Sequence, residues 1–210
     1  MSTNTRSAKP KIKVLFYSTY GHMFAMAKAA AEEAEAAGGD VELKRFPEII
    51  PAEQLEKMGA LDAQKVFSDI PEAGPDDFKS LDGLIIVTAT RYSNIPGQVA
   101  NILDQTGASW AKQLLRGKVG GAIVGSGTQH GGQESAALTL HRFFLHMGMV
   151  VAGLPSTFQG MFTVDEVVGG SPYGATTISG ADGSRMPSET DLAGARYQAR
   201  YITELAAKLT

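Results

Sequence analysis

Hydrophobic and polar positions along the chain fall into two kinds of segment, short apolar runs and longer stretches with a helical period. The apolar runs predict five strands, at 11–17, 41–46, 83–88, 118–125 and 149–154. Apolar residues three and four apart predict the main helices, at 23–34, 96–103, 134–147 and 192–209, with shorter ones near 53–58 and 75–80. Because the central runs are apolar almost throughout, we expect strands buried on both faces. The order of elements therefore predicts an α/β fold, an open, doubly wound five-stranded parallel sheet with helices on both faces.

The pattern shows no internal repeat and no linker, so we expect a single domain over 11–210. Residues 1–10, MSTNTRSAKP, are polar and are predicted to be a disordered tail. Residues 155–187 form a long stretch rich in glycine, proline and serine that has no periodicity. Loops of that length are usually functional or disordered, and we expect this one to be a loop insertion at an interface.

Composition narrows the function classes. The chain has no cysteine, which excludes disulfides, thiolate metal sites and cysteine nucleophiles. Its formal net charge of −3 gives no basic footprint for nucleic acid. The polar first residues do not resemble a secretory signal, and no apolar run reaches the length of a membrane span. We predict a cytoplasmic protein.

Three turns that follow predicted strands share one chemical character. They are STYGHM at 18–23, TATRYSN at 88–94 and GSGTQHGG at 125–132. In a doubly wound sheet, the turns after the carboxyl ends of the strands open on one edge, where ligands bind. All three are rich in hydroxyls, small residues and ring side chains and poor in carboxylates. They predict a ligand site that does not depend on a metal.

The first turn has the properties of an anion cradle. It opens a helix, whose unpaired N–H groups and dipole favour an anion, and Ser18 and Thr19 add hydroxyls. The turn contains no lysine, so it is not a Walker loop, and it lacks the GxGxxG dinucleotide fingerprint. An ordinary helix cap by Ser18 or Thr19 is the alternative interpretation.

Several stretches together carry a family resemblance. In addition to the three turns, these are TRYSNIPGQVANILDQTGASW at 90–110, HMGMVV at 146–151 and SPYGATTISGADGSRMPS at 171–188. The chain resembles, from Lys11 onward, the WrbA family of flavodoxin-like, FMN-dependent NAD(P)H:quinone oxidoreductases. The last stretch is the most specific, because plain flavodoxins lack it. The resemblance implies a flavodoxin-like fold, FMN as cofactor, NADH or NADPH as electron donor, a quinone as acceptor and a homotetramer.

The resemblance also implies the site residues. Those implied to bind FMN are Ser18, Thr19, Tyr20, Gly21, His22, Met23, Thr90, Arg91, Tyr92, Gly125, Ser126, Gly127, Thr128, Gln129, His130 and His146. Tyr20 and Trp110 are implied to contact the substrates, and Arg91 and His146 to tune the flavin. No further catalytic residue is required, and no metal is expected. The chain departs from the family pattern at Ala89, where many members have proline, and at Gly125-Ser126, where others have Ser-Thr.

Other interpretations of these residues and of the chain remain open. Trp110 is equally well explained as a core or interface anchor, and Asp182 to Arg185 as a simple turn. If FMN is bound, we expect two-electron reduction of quinones to hydroquinones with ping-pong kinetics. The alternatives are a flavodoxin-type one-electron carrier, or a regulatory adaptor that binds a transcription repressor.

Overall fold

The sheet at the centre of the protein has the strand order β2-β1-β3-β4-β5, and all its ladders are parallel. The computed structural model describes residues 9–209, so residues 1–8 of the predicted tail lie outside the described residues. The strands are β1 (Lys11–Phe16), β2 (Asp40–Arg45), β3 (Gly83–Ala89), β4 (Val119–Ser126), β5 (Val150–Val151) and β6 (Thr176–Ile178). This order confirms the predicted flavodoxin-like, doubly wound α/β fold.

Helices connect the strands and cover both faces of the sheet. They are α1 (His22–Ala36), α2 (Ala52–Lys57), α3 (Leu61–Lys65), α4 (Gly97–Asp104), α5 (Gly107–Ala111), α6 (Gln133–His146) and α7 (Glu189–Leu209). Short 3-10 helices lie at Pro75–Phe78 and Gln159–Phe162. The short α3 and α5 were not predicted from the sequence, because neither is long enough to show a helical period. No helix among residues 9–209 is long and apolar enough to cross a bilayer.

Two hydrophobic clusters hold the layers together, one on each face of the sheet. On one face, α1 and α7 pack against residues such as Val14, Ile85 and Ile123. On the other face, α4 and α6 pack against Leu84 and Ile86 and their neighbours. Because consecutive residues of a strand point to opposite faces, strands that are covered twice must be apolar throughout. This explains the unbroken apolar runs of β3 and β4, and it fixes the carboxyl ends of the strands along one edge.

The fifth strand position differs from the sequence prediction of one strand over 149–154. It is shared by two short strands that pair with different parts of β4, β5 opposite Val119 and Gly120 and β6 opposite residues 124–126. The chain leaves the sheet after Ala152, whose N–H donates to the carbonyl of Gly120, and returns at Thr176. We call residues 152–175 the edge insertion. The predicted loop 155–187 thus contains a strand and a 3-10 helix.

The two ends of the edge insertion meet at Gly153. A Cβ atom at this position would lie 1.9 Å from the carbonyl oxygen of Pro172. Only glycine allows that approach, because two backbone segments pass each other where any side chain would stand. The insertion therefore leaves and re-enters the sheet through a narrow neck.

Candidate active site

A cavity of about 460 Å³ opens at the carboxyl edge of the sheet. It brings together most of the predicted site residues, namely Ser18, Thr19, Tyr20, His22, Met23, Thr90, Arg91, Gly125, Ser126 and Gly127. A further wall, which the sequence analysis did not assign to the site, is formed by Thr177, Ser179, Gly180, Ala181, Asp182, Gly183 and Met186. Ala63 of α3 and Ala89 of β3 complete the lining. Three predicted turns and one unpredicted wall therefore enclose a single cavity.

The first turn leaves the amino end of α1 open. Gly21 is the N-cap residue, with φ of 92°, and no side chain caps the helix. The Ser18 hydroxyl instead accepts a hydrogen bond from the Gly21 N–H at 2.9 Å. The ordinary cap by Ser18 or Thr19 is therefore not formed. Because the first turn of α1 also contains no acidic residue, its N–H groups and dipole favour an anion in the cavity.

The second turn is tied to the first by Arg91. Its guanidinium donates to the Thr19 hydroxyl at 2.8 Å through Nη2 and to the Thr90 carbonyl at 2.9 Å through Nη1. Tyr92 and Ser93 follow with φ of 51° and 64°, closed by two backbone hydrogen bonds between Arg91 and Asn94. Two successive non-glycine residues in the left-handed region indicate a strained turn. The Tyr92 side chain is fully exposed and does not line the cavity.

The third turn begins with a residue whose lack of a side chain has a steric reason. A Cβ at Gly125 would lie 2.3 Å from the Met23 sulfur, so a larger residue would require the Met23 side chain to move. The Gly125 carbonyl accepts from the Thr90 N–H at 2.7 Å, which joins this turn to the second one. Gln129 and His130 face a neighbouring cavity instead, and Thr128 lines neither of the two.

A buried polar network supports the first turn from below. Tyr17 donates to Glu48 at 2.9 Å, and Gln98 donates to both. Burial alone would raise the pKa of Glu48, but hydrogen bonds from Gln98, from the Ile50 N–H, and from Gln64 and Tyr17 outweigh it and hold this pKa below its usual range. Burial strongly raises the pKa of Tyr17, so the phenol stays neutral. The Glu48 carboxylate and the neutral Tyr17 phenol therefore lie next to the first turn. The Thr19 hydroxyl of that turn donates to Tyr17 at 3.4 Å.

The further wall, formed by residues 177–186, is hydrogen-bonded to both the first and the third turn. His22 Nε2 lies 2.9 Å from the Gly183 carbonyl oxygen, to which a protonated Nε2 donates. The Ser179 N–H donates to the Ser126 carbonyl at 2.8 Å. The sequence signal for this wall was the family-specific stretch 171–188, whose contacts the sequence alone did not specify. After this stretch, Ser188 and Asp191 form a capping box at the start of α7, with reciprocal hydrogen bonds of 3.1 and 3.2 Å.

Two further predicted site residues, Trp110 and His146, also lie outside the cavity of their own chain. Trp110 is 59% exposed on α5, and His146 is exposed in the last turn of α6. Helix α6 starts beyond the carboxyl end of β4 and ends just before β5, so His146 lies toward the opposite edge of the sheet. Within residues 9–209, no cluster of three histidine or carboxylate side chains is suited to hold a metal.

Comparisons with known proteins agree with this geometry. Residues 12–160 match the family model described as NADPH-dependent FMN reductase. A relative from Geobacter metallireducens, named NAD(P)H dehydrogenase (quinone), is 52% identical over 95% of this chain and 98% of its own. A relative of the same name from Rhodopseudomonas palustris is 51% identical over 95% of this chain and 98% of its own.

Solved structures show the same fold at lower identity. A flavodoxin, WrbA-like protein from Agrobacterium tumefaciens superimposes with a TM-score of 0.65 at 19% identity, covering 96% of this chain and 100% of that one. A flavodoxin from the domain Archaea gives 0.59 at 20% identity, covering 93% and 98%. These two likenesses concern the fold alone, whereas the family model and the half-identical relatives cover most of the sequence. The chain therefore belongs to the NADPH-dependent FMN reductase family.

Proposed function

We propose that the protein is an FMN-dependent NAD(P)H:quinone oxidoreductase that reduces quinones to hydroquinones by two electrons. One observation carries the proposal: a cavity at the carboxyl edge has an uncapped helix start at one end and a guanidinium, Arg91, in its wall. Relatives about half identical over nearly the whole chain are named NAD(P)H dehydrogenase (quinone). That name supports the reaction class and the electron donor.

The residues present fit the phosphate end of a flavin mononucleotide. The open N–H groups of α1 and the hydroxyls of Ser18 and Thr19 would hold a phosphate without a lysine. When bound, FMN supplies the hydride and electron transfer. Arg91 would stabilise the negative charge that reduction places on the ring system. A partly buried guanidinium that is held in a fixed position stabilises charge more strongly than one in bulk water. The Thr19 hydroxyl and the Thr90 carbonyl keep that guanidinium in place.

Tyr20 supports the interpretation that nicotinamide and quinone use the same opening in turn. Its side chain lines the cavity and is 44% exposed, which leaves a flat ring surface at the mouth. Two substrates that occupy one opening alternately give ping-pong kinetics. Transfer of electrons from the nicotinamide to the quinone in two successive steps does not require a nucleophilic side chain.

We propose in addition that the working form is a homotetramer. Trp110 and His146 could take part in a flavin site only from a neighbouring copy, because both lie away from the cavity of their own chain. Exposed apolar residues of the edge insertion, such as Phe162 and Val164, support burial against a partner. The cytoplasmic location stays a prediction.

Kinetics with the purified protein test the proposed reaction. We expect a yellow protein that turns over NADH or NADPH continuously only when benzoquinone is added, with parallel lines in double-reciprocal plots. A yellow protein without turnover would instead identify a one-electron carrier. Intersecting lines would contradict the shared opening but not the reductase activity. Rates with NADH and NADPH, compared at matched concentrations, would identify the preferred donor.

A further inference from the structure

We propose that residues 179–186, here called the closing loop, cover the phosphate end of the cavity and make the site select FMN against FAD. The inference rests on the proposed flavin site, and it concerns residues that were not among the predicted site residues. Five residues of the loop line the cavity between the first and third turns, and Met186 lies at its end. The loop therefore belongs to the site itself.

The closing loop lies directly against the cradle at the start of α1. His22 is the first residue of α1 and is only 8% exposed, and its Nε2 is 2.9 Å from the Gly183 carbonyl oxygen. A phosphate held by the first turn of α1 thus has the loop beside it. In FAD, the adenosine is attached through this phosphate by a pyrophosphate bridge. An FAD molecule could bind only if the loop moved away from His22.

A buried carboxylate fixes the closing loop in this position. Asp191 is 2% exposed, and its two oxygens accept hydrogen bonds from the Gly169 N–H, the Thr177 hydroxyl, Arg185 and the Ser188 N–H, all between 2.8 and 3.1 Å. These four donors come from the edge insertion, from β6, from the loop and from the N-cap of α7. A buried carboxylate that accepts from four donors holds such segments together, because removing a donor weakens the compensation of its buried charge.

Arg185 is the connection between the closing loop and this carboxylate. Besides Asp191 at 2.9 Å, its guanidinium donates to the carbonyls of Ile178 at 2.6 Å and Val167 at 2.5 Å. Its own N–H donates to the Ser179 carbonyl at 3.0 Å, which closes the loop on itself. Arg185 and Asp191 are thus positioning residues for the wall that contacts His22.

The closing loop also offers no free cation to a second phosphate. Arg185 is the only cation in its sequence, SGADGSRM, and that guanidinium is engaged by Asp191. The charged residue that the loop presents to the cavity is Asp182, a carboxylate. Hydrogen bonds from the Ser184 N–H and hydroxyl hold the pKa of Asp182 below its usual range, so it is an anion at neutral pH. A carboxylate at the phosphate end of the cavity repels a second phosphate. The closing loop therefore disfavours FAD by charge as well as by shape.

Flavin titrations of the apoprotein test the proposal. Quenching of flavin fluorescence gives the dissociation constants for FMN and for FAD, and we expect the wild type to bind FMN much more tightly. In Arg185→Ala the loop loses its anchor, so we expect weaker FMN binding with FAD binding unchanged or improved. The ratio of the two constants should change by about tenfold or more, which corresponds to about 1.4 kcal/mol. Arg196→Ala is the matched control, because Arg196 pairs with Glu189 on the exposed side of α7 and should leave the ratio unchanged.

A pair of substitutions at His22 gives a second measurement that does not depend on folding of the Arg185 variant. His22→Gln keeps a donor near the position of Nε2 and should keep the selectivity, whereas His22→Ala should lower it. Parallel weakening of FMN and FAD in Arg185→Ala would overturn the proposal, because a general structural role affects both ligands alike. So would a wild type that binds both flavins equally, which would leave the proposed function intact. A wild type that binds neither flavin would overturn the proposed function together with this inference.

Discussion

Arg91 shows how one side chain couples two turns that are distant in sequence. Its guanidinium is held by the Thr90 carbonyl of its own turn and by the Thr19 hydroxyl of the first turn. Thr19 in turn donates to Tyr17, which is bonded to the Glu48 carboxylate. The position of the charge is thereby fixed before any ligand binds, which is the arrangement that electrostatic stabilisation requires.

We expect Arg91→Ala to lower the two-electron potential of bound FMN. The change should be up to about 60 mV if the substitution removes ~2.8 kcal/mol of stabilisation from the reduced form. Arg91→Lys keeps the charge but not the fork, so it should retain part of the effect. Spectroscopic redox titration measures both potentials. An unchanged potential in Arg91→Ala, with FMN still bound, would remove Arg91 from this role.

His141 lies in the packing between α6 and the edge insertion. It is 8% exposed, and its Nε2 is buried without a partner among the described residues. Burial lowers the pKa of His141 below 6.5, and a hydrogen bond to the Tyr173 backbone opposes this only in part. Since the folded state then binds fewer protons than the unfolded chain, stability decreases as the pH falls from about 6.5 through the lowered pKa.

His141→Asn should remove that pH dependence, because asparagine can keep a donor to Tyr173 but does not titrate. We expect Tm to decrease less in the variant than in the wild type when the pH is lowered from about 7.5 to about 5.5. His130→Asn, a change at an exposed histidine, is the control and should leave the loss of Tm as large as in the wild type. An equal loss in His141→Asn would show that other groups carry the dependence. Thermal unfolding followed by circular dichroism measures it.

Among the elements, the edge insertion depends on its narrow neck. Gly153→Ala would place a Cβ 1.9 Å from the Pro172 carbonyl oxygen, so the neck must open. We expect destabilisation of about 1–3 kcal/mol, the usual cost of overpacking. Gly107→Ala is the matched control, since a Cβ there meets nothing within 4 Å, and its effect should be within about 0.5 kcal/mol. Urea unfolding of both variants measures the difference. Equal stability would mean that the neck is not closely packed.

The elements also show what the sequence could and could not predict. The main helices and the buried strands follow from periodicity, because burial on one stripe or on two faces leaves a direct trace in residue type. The division of the fifth strand does not, because residues 150–151 and 176–178 pair with β4 through backbone bonds that leave no such trace. The three turns were predicted because they follow strands. The closing loop was not, because its contact with His22 joins residues far apart in the sequence.

For the whole molecule, association and activity should change together. If flavin sites include residues from more than one chain, dilution should lower the molar mass, the affinity for FMN and the turnover in parallel. Light scattering across a dilution series, with activity measured on the same samples, tests this. A monomer with full activity and tight FMN binding would contradict the shared site.

A substitution in the edge insertion gives an independent measurement of assembly. Phe162 and Val164 are 64% and 93% exposed, so the double change to serine should not disturb the fold of one chain. We expect it to shift the tetramer toward smaller species. Val66→Ser is the control, since Val66 is 74% exposed but lies outside the insertion. If the mass changes equally in both variants, the insertion is not the interface.

The divided fifth strand has a consequence for behaviour at high concentration. A long, straight edge strand offers its free backbone N–H and C=O groups to any other extended chain, which is a route to aggregation. Here β5 provides two residues and β6 three, and the edge insertion leaves the sheet between them. The opposite edge, β2, carries charged side chains such as Glu42 and Lys44, which disfavour a further strand. The folded protein should therefore resist the addition of a strand from another chain to its sheet. Contacts between copies are then made through side chains, which can be specific, and not through backbone pairing, which is not.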